Sequence, residues 1–286
     1  NLFKDGQADD VILTGELAKQ MKNDPAYVTQ PEARTTYLEV NQRDEKSPYR
    51  NANLRKAFSY AIDRKSLVNN ILGDGSAVAT GLVPTGNMTG PDGKDFTEDS
   101  KVKVTYDKKK AKEYWNKAKQ ELGIDSLTIE LVSDDTDATK KVSEYLQSSL
   151  QDTLDGVKVN LTPVPFSVRL DRGNKGQFDM IVSGWAADYL DASSFTDLFV
   201  TGNSYNRGRW SNAEYDKLVD ASGNADATDE KKRWDDLLDA EKVLLDESGV
   251  IPVFYKSEAH LRNPKVKGIV AHPAGAQYEY KWVEVK

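Results

Sequence analysis

The stretch FDMIVSGWAADYLDASSF (178–195) carries the most information about the fold of this chain. It opens with a continuous apolar run, 178–182, of the kind that forms a strand buried on both faces of a sheet. The run leads into a carboxylate, Asp188, which lies between Trp185 and Tyr189. A strand that delivers one acid to a loop between aromatic side chains is suited to holding a cation.

Strand and helix patterns alternate outward from this stretch. Helical spacing of apolar residues predicts two helices in 54–72 divided by an Asp63 cap, and further helices at 107–122, about 142–150, about 212–222 and 229–246. Thr228 is the predicted cap of the last helix, and 73–96 is a predicted long loop. Strands are predicted at 35–42, 127–135, 157–161 and 249–255, the last edge-like or irregular because it contains a proline. The alternation indicates an α/β fold with a mixed sheet and flanking helices.

Composition and charge exclude several classes of protein. The 286 residues are 38% hydrophobic and 30% charged, as in a soluble globular protein, and no run of about 18 apolar residues could span a membrane. The net charge of −7 argues against a sequence-independent grip on nucleic acid phosphates. Cysteine is absent, which excludes disulfides, thiol catalysis and cysteine-bound zinc. The first ten residues show no signal-peptide pattern.

Motifs for cofactors and metals are missing, so no cofactor and no metal site is predicted. His260 and His272 have no obvious sequence partners and are predicted to be structural or surface groups. GDGSAV (73–78) has Val78 where a nucleotide-binding fingerprint needs its third glycine, which favours a turn. SDDTDATKK (133–141) lacks the spacing and glycine of a calcium loop, which favours helix capping.

Two carboxylates three residues apart, Asp188 and Asp191, raise the alternative of a glycoside hydrolase. No acid–base partner accompanies them in the sequence, so binding, capping or turn formation is the preferred interpretation. The chain is therefore predicted not to be an enzyme.

Three segments in a fixed order resemble the family 5 extracellular solute-binding proteins, the oligopeptide receptors of ABC importers. They are LRKAFSYAIDRKSLVNNIL (54–72), GWAADYLDASSF (184–195) and GVIPVFY (249–255), and the resemblance extends from about residue 10 to the end. It implies one lobe of a periplasmic-binding-protein type II-like, Venus-flytrap fold. In that fold two lobes close over an extended peptide, which is held by main-chain hydrogen bonds with its side chains in hydrated pockets.

The resemblance also implies the site residues. Trp185 to Asp188 match a W-x-A-D motif whose acid binds the peptide α-amino group, so this role is expected of Asp188. Trp185 is expected to form a pocket wall, and Phe166 aligns with an aromatic residue that packs on ligand side chains. The alternatives are a turn cap for Asp188 and ordinary core packing for the two aromatic residues. Asp63, with its neighbour Arg64, is expected to be scaffold.

One departure from the family pattern bears on peptide length. Some relatives carry an arginine just upstream of the W-x-A-D motif that can meet the carboxylate of a short peptide, whereas Val182 stands there in this chain. Fixed-length recognition of short peptides is therefore in doubt, and longer peptides are favoured. Tyr205, Asn206 and Arg209 follow the motif without an assigned role.

Family members are much longer, so the resemblance implies that this chain is a C-terminal lobe with one wall of the cleft. Residues 1–36 would end the first-lobe segment, 37–260 would form the second lobe and 261–286 would return toward the first. The implied partners are an oligopeptide, the missing N-terminal half and an ABC permease in the membrane, with a monomeric receptor and no nucleic acid. The implied location is the extracellular face of a Gram-positive membrane, with a lipid anchor that this chain lacks.

Other ligands and roles stay open at this point. A related binding protein for a peptide pheromone, a dipeptide, a nickel chelate or haem is the first alternative, although scarce histidine and absent cysteine disfavour the last two. The second is a regulator in which a solute-binding lobe is fused to a DNA-binding region.

Overall fold

A curved mixed sheet of seven strands organises the protein. The computed structural model describes residues 2–286. The strands are β1 (Asp10–Leu13), β2 (Tyr27–Val40), β3 (Ala77–Val78), β4 (Leu127–Asp134), β5 (Val157–Val164), β6 (Met180–Ala186) and β7 (Ile251–Arg262). Their order is β1-β7-β2-β6-β4-β5, with β3 also paired to β7. β4 is parallel to both of its neighbours and all other pairs are antiparallel, as the mixed-sheet prediction requires.

Ten α-helical segments connect the strands within residues 2–286. They are α1 (Gly15–Met21), α2 (Ala52–Ala61), α3 (Arg64–Ser66), α4 (Phe96–Asp99), α5 (Lys108–Leu122), α6 (Asp137–Thr153), α7 (Phe166–Lys175), α8 (Ser193–Thr196), α9 (Ala213–Gly223) and α10 (Glu230–Asp246). A π-helical turn, Leu67–Leu72, continues α3, and 3-10 turns lie at Pro48–Arg50 and Asp197–Phe199. Two short strand pairs follow β7, joining β8 (Val266–Lys267) to β11 (Glu284–Val285) and β9 (Val270–Ala271) to β10 (Tyr278–Glu279).

Two hydrophobic cores cover the two faces of the sheet. Leu38 of β2 belongs to a core formed with α2, α5 and α6, whereas its neighbour Tyr37 belongs to a core formed with α9 and α10. Because successive side chains of a strand point to opposite faces, the two cores lie on opposite sides of the sheet. Burial of both faces explains why β6 reads as a continuous apolar run.

Most of the predicted helix ends are confirmed. The Asp63 carboxylate accepts the Ser66 N–H (3.0 Å) and separates α2 from α3, and Gly123 ends α5 with a φ of 66°. Buried Arg64 donates to the carbonyl oxygen of Pro252 (2.7 Å), so it is a scaffold group as expected. Thr228 was the wrong cap for α10, because Asp229 accepts the Lys232 N–H (3.1 Å) and the helix begins one residue later.

The structure corrects two predicted strands and adds helices that were not predicted, of which α7 is the longest beside the site. β7 is irregular but not an edge strand, because it lies between β2 and β1, with Pro252 at a register shift opposite Tyr37. β2 begins at Tyr27, eight residues before the predicted start at residue 35. The helix α7 was not predicted, since its short polar sequence carries few apolar residues to mark a buried face.

His260 is a buried structural group of β7, as predicted. Its Nδ1 lies 2.7 Å from Asp10 Oδ1 and its Nε2 lies 2.8 Å from the Tyr278 hydroxyl. The Tyr278 hydroxyl also donates to Glu258 Oε2 (2.9 Å). This chain of hydrogen bonds joins β1 and the C-terminal segment to β7, although Asp10 and His260 are 250 residues apart in sequence.

A carboxylate of α10, Glu241, lies inside the second core. Its side chain is 1% exposed and packs against Gly81, where any Cβ atom would overlap Glu241 Oε1. Burial raises the pKa of Glu241 to about 8, although the backbone N–H groups of Val83 and Leu82 oppose the shift. Its charge is therefore costly to the folded state.

Within residues 2–286, no helix has both the length and the apolar character needed to cross a membrane. β2 and β7 run without a break through the proposed boundaries at 36/37 and 260/261.

Candidate functional site

Asp188 lies two residues after the end of β6 and is exposed to solvent. Its backbone N–H donates to the hydroxyl of Ser194 (3.1 Å), at the start of α8, and the Trp185 indole N–H donates to the same hydroxyl (3.4 Å). Among residues 2–286, no group donates to the Asp188 carboxylate. Ser194, which is 4% exposed, therefore fixes the backbone of the acid and the ring of Trp185 while the carboxylate stays open.

Trp185 is half-buried at the rim of the second core. The ring of Tyr205 meets its face edge-on, with 4.8 Å between centroids, a favourable geometry for two aromatic rings. Tyr205 is 45% exposed, and the Arg207 guanidinium lies 5.9 Å from its ring. The two rings form an aromatic wall beside the acid-bearing loop.

The second carboxylate of the motif, Asp191, is already engaged. Arg233 of α10 donates to both of its oxygens, from Nη2 to Oδ1 (2.7 Å) and from Nη1 to Oδ2 (2.8 Å). Burial opposes ionisation of Asp191, but the hydrogen bonds from Arg233 and Ser193 outweigh it and keep the pKa of the carboxyl below its usual value. Asp191 therefore anchors the loop to α10.

Phe166 begins α7 and is 57% exposed. The Arg169 guanidinium lies 5.0 Å from the ring centroid, and Arg169 Nε donates to Asp134 Oδ1 (2.7 Å) at the end of β4. Arg169 and Gly184 line one small cavity, so Phe166 lies near the open part of β6. Its exposure argues against ordinary core packing.

The last residues of β6 have a free edge. β4 pairs with β6 only at Met180 and Ile181, so the strands separate before Gly184. On the other side, the Ala187 N–H donates to the carbonyl oxygen of Ala33 near β2 (2.8 Å). Because bonding alternates along an antiparallel ladder, Gly184 and Ala186 turn their N–H and C=O groups away from β2. These groups point along the unpaired edge that ends at Asp188.

The residues that follow the motif have separate roles. Asn206 is 1% exposed and donates to the carbonyl oxygens of Phe199 (3.2 Å) and Trp210 (2.8 Å), so it is structural. Arg209 adopts a φ of 62° and donates to the Asn203 carbonyl oxygen (3.3 Å). Of Tyr205, Asn206 and Arg209, Tyr205 is the residue whose ring contacts Trp185. The contact could not be predicted from the sequence because the two residues are twenty positions apart.

A known family model matches residues 1–207, and its description is bacterial extracellular solute-binding proteins, family 5 Middle. The chain belongs to this family. The family comprises extracellular solute-binding proteins, and the sheet and helices described above form one lobe of a periplasmic-binding-protein-like fold.

This family 5 chain is similar to three proteins that bind peptides or a pheromone, according to their names. A dipeptide-binding protein of Lactococcus lactis subsp. cremoris is 34% identical over 295 residues, covering 100% of this chain and 54% of that protein. The structure of the pheromone receptor PrgZ is 42% identical with a TM-score of 0.89, covering 100% of this chain and 55% of that one. A crystal structure of the peptide-binding protein of a peptide ABC transporter is 57% identical with a TM-score of 0.75, covering 82% of this chain and 100% of that one.

These relatives are substrate-binding proteins of transport or reception, not enzymes, according to their names. The chain spans about half the length of the curated relatives that it matches.

Proposed function

We propose that this family 5 chain forms one wall of the peptide-binding cleft of an ABC importer receptor, with the α-amino group of the peptide bound by Asp188. The observation that carries the proposal is the free edge of β6, which ends at a carboxylate that has no hydrogen-bond donor within residues 2–286. The peptide-binding names of the relatives support it.

Main-chain recognition follows from the free edge. The open N–H and C=O groups of Gly184 and Ala186 match those of an extended peptide, which would add to β6 as a further strand. Backbone groups are common to all peptides, so this contact contributes affinity without demanding a particular sequence.

The α-amino group would fix the direction in which the peptide lies along β6. An ammonium group near Asp188 would form a charge-assisted hydrogen bond, which strengthens when the closed cleft excludes water. Trp185 and Phe166 are the proposed pocket residues for ligand side chains, and their exposure leaves ring surface available. The engagement of Asp191 by Arg233 supports a binding role over a hydrolytic pair.

The second wall of the cleft would come from a further part of a longer protein. In this arrangement 1–36 and 261–286 belong to or approach the first lobe, 37–260 is the second lobe, and β2 and β7 connect them. The receptor would act as a monomer that delivers peptides to an ABC permease, held by a lipid anchor at the extracellular face of the membrane. A single lobe provides part of the hydrogen bonds and no closure, so it would bind peptides weakly.

A dedicated peptide pheromone is the second candidate ligand. The similarity to the pheromone receptor PrgZ, at 42% identity over the whole of this chain, favours it. Mass spectrometry of molecules released by acid from the complete protein separates the two: many peptides indicate nutrition, and one indicates signalling.

The amino-terminal anchor is tested by calorimetry on the complete receptor. Asp188→Ala is expected to weaken peptide binding by roughly 2–5 kcal/mol, the range for stranding one partner of a buried charge pair. N-acetylation of the peptide should cause a comparable loss. Asp152→Ala removes an exposed acid of α6 and serves as the control. Unchanged affinity of Asp188→Ala would refute the assignment of this site.

A further inference from the structure

We propose that Arg34 and Arg169 form an anion subsite that takes a carboxylate of the bound peptide about four residues from its α-amino group. This inference rests on the proposed function. It concerns a small cavity of about 70 Å³ beside the open edge of β6, which both arginines line.

The donors of Arg169 are only partly used. Its side chain is largely buried, and within residues 2–286 Nε is the one side-chain nitrogen that donates a hydrogen bond, to Asp134. Neither terminal nitrogen has an acceptor among residues 2–286, and Nη1 is fully buried without a partner. An unsatisfied donor on a buried charged group raises the free energy of the folded protein. A ligand that brings a hydrogen-bond acceptor would remove this cost.

Arg34 lies on the other side of the same cavity. It is exposed and forms no hydrogen bond or ion pair with any residue in 2–286. A Cβ atom placed on Gly184 would lie 3.7 Å from Arg34 Nε and 3.8 Å from Nη2, so the guanidinium lies across the glycine. These distances place the guanidinium in van der Waals range of the Gly184 position.

The charge balance of the cavity favours an anion. Its walls carry two guanidinium groups and one carboxylate, Asp134, while Glu32 on β2 does not line it. The remaining polar lining is neutral and comes from Thr36, Thr139 and Ser183. One positive charge is left in excess, and planar guanidinium groups match a carboxylate well.

The position along β6 sets the distance from the amino-terminal anchor. A peptide that begins at Asp188 and runs antiparallel to β6 reaches Gly184 after about four residues, or roughly 13 Å at the rise of an extended strand. Beyond that point β4 occupies the edge of β6. The carboxylate would be the C-terminus of a peptide of three or four residues, or an Asp or Glu side chain at the third or fourth position.

Arg34 of β2 and Arg169 of α7 would thus supply the positive charge that some relatives supply with an arginine at the position of Val182. Val182 lines the same cavity. The carboxylate would therefore bind near Val182, where the sequence alone gave no positive charge to meet it. Peptides of three or four residues, and longer peptides with Asp or Glu at position 3 or 4, become the preferred ligands, whereas the sequence pattern favoured longer peptides in general.

The test is an NMR titration of the ¹⁵N-labelled chain, observed at backbone amides and at arginine Nε–H groups. The probes are tetraalanine with a free carboxylate and the same peptide amidated at its C-terminus. The free acid is expected to bind about tenfold more tightly than the amide, the factor of one hydrogen bond to a charged group. Arg34→Gln should abolish this difference and leave the affinity for the amide nearly unchanged.

Two further variants control for fold and charge. The Arg34 side chain forms no hydrogen bond or ion pair with any residue in 2–286, so its replacement should leave the fold intact, whereas Arg169→Lys keeps the charge and tests the guanidinium geometry. Lys175→Gln removes the same charge from α7 outside the cavity and should preserve the tenfold ratio. Amidated hexapeptides with Asp or Asn at position 3 or 4 distinguish a side-chain carboxylate from a terminal one.

Equal binding of acid and amide by the unaltered chain would overturn the anion subsite and leave peptide binding standing. If the single lobe binds neither peptide, sodium acetate titrated against sodium chloride at equal ionic strength decides the subsite, and the proposed function is decided separately by Asp188→Ala in the complete receptor. Acetate-specific shifts around the cavity that disappear in Arg34→Gln would support it, and their absence would overturn it.

Discussion

Arg233 holds Asp191 through two parallel hydrogen bonds, from Nη1 to Oδ2 (2.8 Å) and from Nη2 to Oδ1 (2.7 Å). This ion pair joins the loop after β6 to α10, forty-two residues further along the chain. The loop that presents Asp188 is therefore fixed at one end by β6 and at the other by the second core.

Arg233→Ala should destabilise the protein by about 1–2 kcal/mol, less than a fully buried pair would cost because both side chains are partly exposed. Chemical denaturation measures the change, and Lys231→Ala, which breaks an exposed pair on the same helix, should have almost no effect. Because the folded pKa of Asp191 lies below its ordinary 3.8, the pair contributes fully above that pH and its contribution is lost as pH falls through the folded pKa. An Arg233→Ala variant with unaltered acid stability would contradict this account.

Ser194→Ala should loosen the motif without unfolding the chain. It removes the acceptor shared by the Trp185 indole and the Asp188 N–H, at an expected cost of about 1 kcal/mol. Hydrogen exchange at the Asp188 amide should become faster. The control is Ser193→Ala, whose hydroxyl meets Tyr189 at 3.3 Å. Equal exchange at Asp188 in both variants would mean that Ser194 does not order the loop.

Glu241→Gln should change how stability depends on pH. The carboxyl titrates near 4.5 in the unfolded chain and at about 8 in the folded one, so the folded state binds more protons between these values. Stability should therefore fall as pH rises from 4.5 to 8 and level off above it. The glutamine variant should match the parent near pH 5 and exceed it near pH 8, by up to about a few kcal/mol.

Melting temperatures measured across this pH range test the Glu241 prediction. Glu230→Gln, at the exposed start of α10, is the matched control and should keep the pH dependence of the parent. A parallel pH profile for Glu241→Gln and the parent would show that the buried carboxyl is not responsible.

Tyr278→Phe should release the C-terminal segment. The substitution removes the hydroxyl between His260 Nε2 and Glu258, leaving both without this partner at a cost of about 1–3 kcal/mol. Hydrogen exchange should accelerate in 266–286 and stay slow in β6. Tyr280→Phe, at an exposed neighbouring position, should leave exchange unaltered. Uniform acceleration over the whole chain would instead indicate global destabilisation.

The sequence by itself determined the fold class, most helix ends and the location of the acid-bearing loop. These features depend on local rules: the 3.6-residue period of α5 and α6, the caps at Asp63 and Gly123, and the apolar run of β6. The W-x-A-D motif also kept Trp185 and Asp188 together, because the two residues are three positions apart in sequence and both donate to Ser194. Family resemblance supplied the proposed roles that local chemistry leaves open.

Only the tertiary structure decided which distant side chains meet. Arg233 reaches Asp191 and Tyr205 reaches Trp185 because helices and loops of the second core fold back on β6. The free edge of β6 exists because β4 diverges after Ile181, and the place of β7 inside the sheet depends on β1 pairing with it. Pairing between strands is set by long-range packing, which no local pattern of residues encodes.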